Sequence, residues 1–513
     1  MKTLKIKHNS NFPFIHLRPF LFAALGFILG VLSVFQYAIY GKTFLFILFF
    51  ALVVLLFLIS VYQFFRKKSK ILLFCSTIVF FFGVCGGVVS FMQVSAYERE
   101  EISNGYYTVY GTIQGESELE DGYSLMLSDL TFRSHDETIY SKYQMHLIVF
   151  DKREELSIGK RIKAYAKIQM QEKGEYYSYQ MANGIKYVAF VGDSTVNIVG
   201  ETKNFFTKIR LKGISILESF LTGDPLFLST GILFGDTADM GEDTLVQFRK
   251  LGIAHIFAVS GLHIGFLCLI ITKLLRRTEA RNPIRFLLPT IAVFLYAGVC
   301  GFTPSALRAA IMCATTLFFT YIGAPYDSLS GVLFSAIVVL TINPADVMSY
   351  GFILSYACVL SIIILAPIFK RFLRPLPAKI GDSLAISLGI QVGVFPIQML
   401  LFGFAAPISI LLNLIFIPII TVLYILLVLS VLCVAMLPEF ALILVCFQKI
   451  FEVLLLIIGK IPSNFTIGSF DIRGGVAAYY LGVFISSYHV NLKGWVKIVL
   501  ASSCFLTFLI IVL

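Results

Sequence analysis

Long apolar runs alternate with short basic knots along this chain. The runs at 20–38, 43–65 and 71–94, rich in Leu, Ile, Val and Phe, are each long enough to cross a bilayer as a helix. Lys2, Lys5, Lys7 and Arg18 precede the first, and Arg66, Lys67, Lys68 and Lys70 stand between the second and third. Such clusters mark a cytoplasmic side, so the third run is expected to deliver the chain to the outer face. No small-residue cleavage site follows the first run, which predicts a retained span rather than a signal peptide. From 97 to 205 the hydropathy drops. Segments 107–113, 123–130, 143–150, 161–168 and 186–191 are rich in β-branched and aromatic residues and separated by Gly, Asp and Ser, which predicts five strands. That number suits a small barrel such as an OB-fold, with a sandwich as the alternative. Beyond Lys208 comes an amphipathic stretch. Asp243 is placed to cap a short helix with Leu245, Phe248 and Leu251 on one face, closed by Gly252. Apolar runs then resume at 253–271, 283–301, 304–321, 328–342, 350–369, 383–402, 407–436, 441–458, 475–488 and 495–513, with a break or kink expected at Pro418.

The fold class predicted is a polytopic α-helical membrane protein of roughly a dozen spans, with one small external OB-fold-like β-barrel. Its parts are a three-span region at 1–96, an extracytoplasmic β domain at 97–205, an amphipathic connector at 206–252 and a multi-span domain at 253–513. Composition agrees: 58% hydrophobic and 14% charged residues, with a mean hydropathy of +0.86, exclude a soluble globular protein. The net charge of +11 is uneven, because 97–203 holds 12 basic against 17 acidic residues. A net acidic β domain suits a folded spacer better than a basic nucleic-acid groove, although tyrosines such as Tyr176, Tyr177 and Tyr179 offer stacking surfaces. The nine cysteines all fall in apolar segments without a CxxC pair, as small core residues do.

Candidate chemistry concentrates at 231–265, where Asp236, His255, Ser260, Gly261 and His263 lie in or beside an apolar run. On one continuous helix His255 and His263 would be about 12 Å apart along the axis, too far to share a metal ion. Ser260 and His263, at i and i+3, are thinkable as a nucleophile and base, though both histidines also suit interhelical hydrogen bonding. A second cluster is Thr303, Pro304, Ser305 and Arg308, with Thr303 expected as cap of a helix starting at the outer face. A cation in the first turns of a helix opposes its dipole unless an anion is near: a lipid headgroup, Asp236 or a nucleic-acid phosphate. Tyr350, Ser355, Gln391, Gln398 and Asn413 add uncharged polar groups to apolar spans. No Walker motif and no H-x-H or H-x-x-x-H pair occurs, so neither an ATPase nor a dinuclear-metal nuclease is expected in this chain.

The order Gly235-Asp236, Phe248, Gly252, His255, A-V-S-G-L-H at 258–263, P-S-x-x-R-A at 304–309, Y-G-F-x-L-S at 350–355 and N-L-x-x-x-P at 413–418 resembles the core of the ComEC competence proteins. The resemblance covers 231–436 and implies an inner-membrane channel that admits one strand of transforming DNA. Two departures stand out. The C-terminal metallo-β-lactamase-like domain of many relatives is not found here, so a nuclease is expected to be a separate protein. A cysteine pair in the external domain of some relatives is also missing. The resemblance further implies an external DNA receptor, a cytoplasmic ATP-driven translocase and single-stranded-DNA-binding proteins as partners. The alternatives are a membrane-embedded hydrolase and a small-solute transporter. No catalytic residue, metal or cofactor is assigned. The path candidates are Asp236, His255, Ser260, Gly261, His263, Ser305, Arg308, Tyr350, Ser355, Gln391 and Asn413, with Asp236 expected to position Arg308 or a histidine rather than touch DNA.

Overall fold

The computed structural model describes residues 19–40, 70–100, 102–119, 122–134, 138–150, 156–170, 177–191, 196–202, 204–236, 241–256, 261–278, 281–437, 442–462 and 475–486, with scattered residues besides. The expected spans at 43–65 and 495–513 lie almost wholly outside these residues. Helices α1 (Pro19–Tyr40) and α2 (Lys70–Arg99) pack against each other through glycines. A Cβ on Gly30 would run into the Gly83 carbonyl, and one on Gly86 into the Phe27 carbonyl. Small residues allow such backbone approach where lipid supplies no hydrophobic drive for association.

The chain leaves α2 directly into a β domain. Its strands are β1 (Gly105–Leu119), β2 (Gly122–Arg133), β3 (Thr138–Ser141), β4 (Gln144–Val149), β5 (Lys160–Met170), β6 (Ile185–Val191) and β7 (Val196–Glu201), with a short helix α3 (Tyr177–Ala182) before β6. Five of them close a ring in the order β1-β2-β4-β6-β5-β1, in which β4 and β6 run parallel. These five are the strands that the hydropathy pattern predicts. The pattern missed β3 and β7, which lie outside the ring on β2 and β5. Alternate residues of the ring, among them Val109, Ile113, Leu125, Leu127, Met145, Leu147, Ile162 and Ala164, are buried in one core.

The barrel is bolted to the end of α2. Tyr97 Oη donates to the Ile185 carbonyl over 2.6 Å, while buried Lys186 donates to the Tyr97 carbonyl and lies over the Tyr97 and Tyr143 rings. Tyr177 also turns inward, its ring edge-on to Tyr97 at 5.9 Å. Tyr176 lies outside the described residues.

After β7 come α4 (Phe205–Glu218), α5 (Asp224–Phe234) and α6 (Glu242–Lys250). Asp243 does not cap α6: the cap position is Gly241, two residues earlier, which leaves Asp243 inside the first turn. Phe248 and Leu251 are buried as expected, and Gly252, at φ 71°, ends the helix. The apolar run at 253–271 is not one helix. It holds a 3-10 turn, Ala254–Ile256, and then α7 (Gly261–Arg276).

The remaining helices are α8 (Asn282–Val299), α9 (Pro304–Tyr321), α10 (Ser328–Ile342), α11 (Tyr350–Ile364), α12 (Ala366–Phe372), α13 (Ala378–Phe402), α14 (Ser409–Met436), α15 (Leu442–Gly459) and α16 (Val476–Ser486). Among the described residues six helices are long and apolar enough to cross a membrane: α1, α2, α8, α13, α14 and α15. A seventh arises if α11 and α12, bent by 42°, form one span. No break occurs at Pro418, and α14 runs through it. The proline ring is exposed, and the bond it cannot make is the one to the Leu414 carbonyl, one turn earlier in the same helix.

Candidate functional site

The first turns of α9 carry a buried arginine. Pro304 starts the helix, as a residue without an N–H should, and Ala306 to Ile311 are all buried. Thr303 stands at the cap position without making a side-chain cap bond. Arg308 is only 5% exposed. Its Nε donates to Ser355 Oγ at 2.9 Å, its Nη1 lies 3.6 Å from Met312 Sδ, and its guanidinium sits 5.7 Å from the centroid of the Tyr356 ring. Tyr356 is held in turn by Ser335, 3.2 Å from its hydroxyl. On the other side, a Cβ at Gly261 would come within 2.8 Å of Arg308 Nη2, so the guanidinium lies against bare backbone at the start of α7. Ser305 Oγ donates to the Val259 carbonyl at 3.0 Å and ties α9 to the chain just before α7. Among the described residues no carboxylate lies within ion-pair distance of Arg308. A buried cation without a counter-charge is costly, and such a group in a membrane bundle points to function.

The other candidates do not all converge here. His263, 2% exposed, packs its ring 4.5 Å from that of Tyr424 on α14. Gly261 and His263 are two residues apart, about 200° around the helix, so they face opposite sides of α7. His255 lies exposed on the 3-10 turn and shares no helix with His263. Ser260 lies outside the described residues. Asp236, expected to position Arg308 or a histidine, pairs with Arg210 at 2.6 Å. It is brought there by the turn at Gly235, which ends α5 at φ 73°.

On the Tyr424 side, Ser409 Oγ donates to Gln391 Oε1 at 2.9 Å. Gln391 Nε2, Gln398 Oε1 and Asn413 Oδ1 are buried without a hydrogen-bond partner among the described residues. Buried amides in a greasy bundle normally find partners, so three orphans on α13 and α14 mark a strip able to hydrogen-bond something else. Tyr350 is exposed at the start of α11, its ring 6.3 Å from Tyr179 of the barrel and 6.4 Å from Phe402. Sequence reasoning missed Arg210, Tyr356, Ser409 and Tyr424. Tyr356 directly follows Ser355 in a motif already singled out, and Ser409 stands one helical turn before Asn413.

Barrel and bundle meet at the 3-10 turn Pro344–Met348. Asn343 Nδ2 donates to the Ala182 carbonyl of α3 at 3.0 Å and to Asp346 Oδ1 at 2.7 Å, while its Oδ1 accepts from Gln93 of α2 at 2.6 Å. Burial pushes the Asp346 carboxyl up to about 7, against the opposing pull of the Asn343 hydrogen bond.

Residues 232–491, half of the chain, match the family described as Competence protein. The chain belongs to the competence protein family. Within that family it is similar to ComE operon protein 3 of Bacillus subtilis, 28% identical over 228 residues that make up 44% of this chain and 29% of that protein. It is also similar to the uncharacterised protein YcaI of Escherichia coli, 26% identical over 201 residues (37% of this chain, 27% of that one). An uncharacterised protein of Aquifex aeolicus is 27% identical over 188 residues, 36% of this chain and 43% of the other. Each alignment covers less than half of the relative. No solved structure matches. The competence match contains α7, α9, α11, α13 and α14, and so takes in Arg308 with its partners as well as the orphaned amides.

Proposed function

We propose that this chain forms the inner-membrane channel through which single-stranded transforming DNA reaches the cytoplasm. Its family and its likeness to ComE operon protein 3 support a role in competence DNA uptake. The observation that carries the channel reading is Arg308, a guanidinium buried among helices with no carboxylate to neutralise it among the described residues. A passing phosphate supplies the missing charge, and a planar donor fork suits it better than any neutral solute. The orphaned amides of Gln391, Gln398 and Asn413 add neutral donors and acceptors for what lies between phosphates.

In this reading the spans number about a dozen, the N-terminus is cytoplasmic and 97–205 face outward, as the basic knots require. The barrel is of the OB kind, a class whose members bind single strands; its ring order and the parallel β4–β6 pair support this. The chain itself performs no hydrolysis. An external receptor presents the DNA, a cytoplasmic ATP-driven translocase and single-strand-binding proteins draw it in, and a separate nuclease removes the other strand. Transformation by cells carrying Arg308→Gln, at membrane levels matched to the parent, tests the reading. The expected result is a fall of roughly tenfold or more, the worth of one charge-assisted contact. Arg308→Lys recovers only part of it, because a point charge cannot replace the fork. Unchanged transformation in Arg308→Gln overturns the proposal.

A further inference from the structure

A cavity of about 210 Å³ opens where the barrel meets the membrane helices, lined by Gln114 and Ile158 of the β domain, by Asn204, Phe206, Thr207 and Arg210 at the start of α4, and by Gly298, Val299, Gly301 and Phe302 at and just beyond the end of α8. Its walls are aromatic. Phe206 packs against Gly298, where any Cβ would come within 2.5 Å of the ring, and meets Phe302 edge-on with centroids 5.4 Å apart. Phe302 is held there at a cost, for its φ is 51° in a region that bulky L-residues avoid. Its N–H bonds back to the Ala297 carbonyl at 2.8 Å, which locks the strained turn. Backbone strain kept at a cavity mouth is an observation from which function is inferred.

The polar part of the lining is neutral overall but unsatisfied. Arg210 gives one Nη to Asp236, which cancels its charge, yet its buried Nε has no partner. Asn204 spends its Oδ1 on the N–H groups of Phe206 and Thr207, which leaves its amide N–H₂ to donate. Gln114 gives its Nε2 to Ser128 and keeps its Oε1 to accept. Donors and an acceptor beside aromatic faces, with no net charge, describe a host for a flat, neutral, hydrogen-bonding ring. The space is below that of drug-sized pockets, which start at about 300 Å³, and with Arg210 already paired to Asp236 the lining has no spare positive charge to hold a phosphate.

We propose that this cavity holds one nucleobase of the incoming strand, turned out of its stack and laid against the exposed Phe302 ring with its polar edge toward Arg210, Asn204 and Gln114. The proposal rests on the DNA-uptake reading and adds a base-dependent step to the phosphate-dependent one at Arg308. A base seated at the seam admits the strand in one-nucleotide steps, since each base must leave the cavity before the next one enters.

The test uses the full chain in lipid nanodiscs and two single-stranded oligonucleotides with identical phosphates, one normal and one made of abasic units. Their affinities are measured across a salt series for the parent protein, Phe302→Gly and Arg308→Gln. Glycine suits the positive φ, so Phe302→Gly removes the ring and relieves the backbone together. The parent is expected to favour the normal oligonucleotide about tenfold, in line with one base stacked on aromatic side chains. Phe302→Gly abolishes that preference while keeping the salt-dependent binding common to both probes, which also reports a folded protein. Arg308→Gln weakens both probes equally. Equal binding of the two probes by the parent overturns the nucleobase site and leaves the polyanion path standing. Failure of the parent to bind either probe overturns both.

Discussion

Arg308 and Asp346 show how far a single side chain depends on what surrounds it. Both are ionisable groups buried near helix ends. One has no carboxylate beside it, and the other has no cation among its hydrogen-bond partners. For Asp346 this has a measurable consequence. In the unfolded chain a carboxyl of this kind releases its proton near pH 4, whereas in the fold burial holds it to about 7. Between those values the folded state keeps a proton that the unfolded state has lost. The contribution of this group to stability is therefore full below pH 4, declines as pH rises through the window, and levels off above 7. Asp346→Asn, which cannot ionise, is expected to flatten that decline in thermal unfolding of the solubilised protein followed from pH 4 to 8. An unchanged slope would assign the pH dependence to other groups. The residue scale is also where the sequence was least legible. The P-S-x-x-R-A motif marks Arg308 as a candidate, but nothing in it tells that Ser355 and Tyr356, about fifty positions later, hold the guanidinium. Asp236 illustrates the converse, for its partner is Arg210, an unremarked member of an amphipathic stretch.

At the scale of elements, hydropathy located the apolar helices well and their interruptions poorly. Period-two patterning recovered the five ring strands because one face of each is packed in a core, a condition that β3 and β7, at the margins, do not impose. The run at 253–271 has the composition of a span, yet the chain enters it from a left-handed turn at Gly252 and forms a 3-10 turn at Ala254–Ile256 before α7 begins at Gly261. Pro418 carries the opposite lesson, since α14 continues as one helix through it. Hydropathy marks α1 and α2 as separate spans but says nothing of the contact that joins them, although Gly26 and Gly30 stand at the spacing of a close-packing face. Gly86→Val drives a branched side chain into the Phe27 backbone. It is expected to cost about 1–3 kcal/mol, seen as a lower midpoint in denaturant unfolding of the detergent-solubilised protein. Gly351→Ala, at a position with open space around it, serves as the neutral comparison.

For the molecule as a whole, the decisive contacts are those that fasten the barrel to the membrane helices. It leaves α2 through Tyr97 and Lys186, returns through Asn204 at the start of α4, and is met from the side by the turn carrying Asn343. Replacing Gln93 and Asn343 together by Ala removes the lateral bridge. The expected result is faster proteolysis within α3 and its flanks while the barrel core stays protected, as read by limited digestion of the protein in nanodiscs; equal digestion rates would show that the bridge bears no load. A body pinned at three separate places cannot swing on a hinge. Whatever passes the seam must thread alongside a fixed collar, and any yielding has to come from side chains such as the Phe302 ring rather than from the collar lifting away.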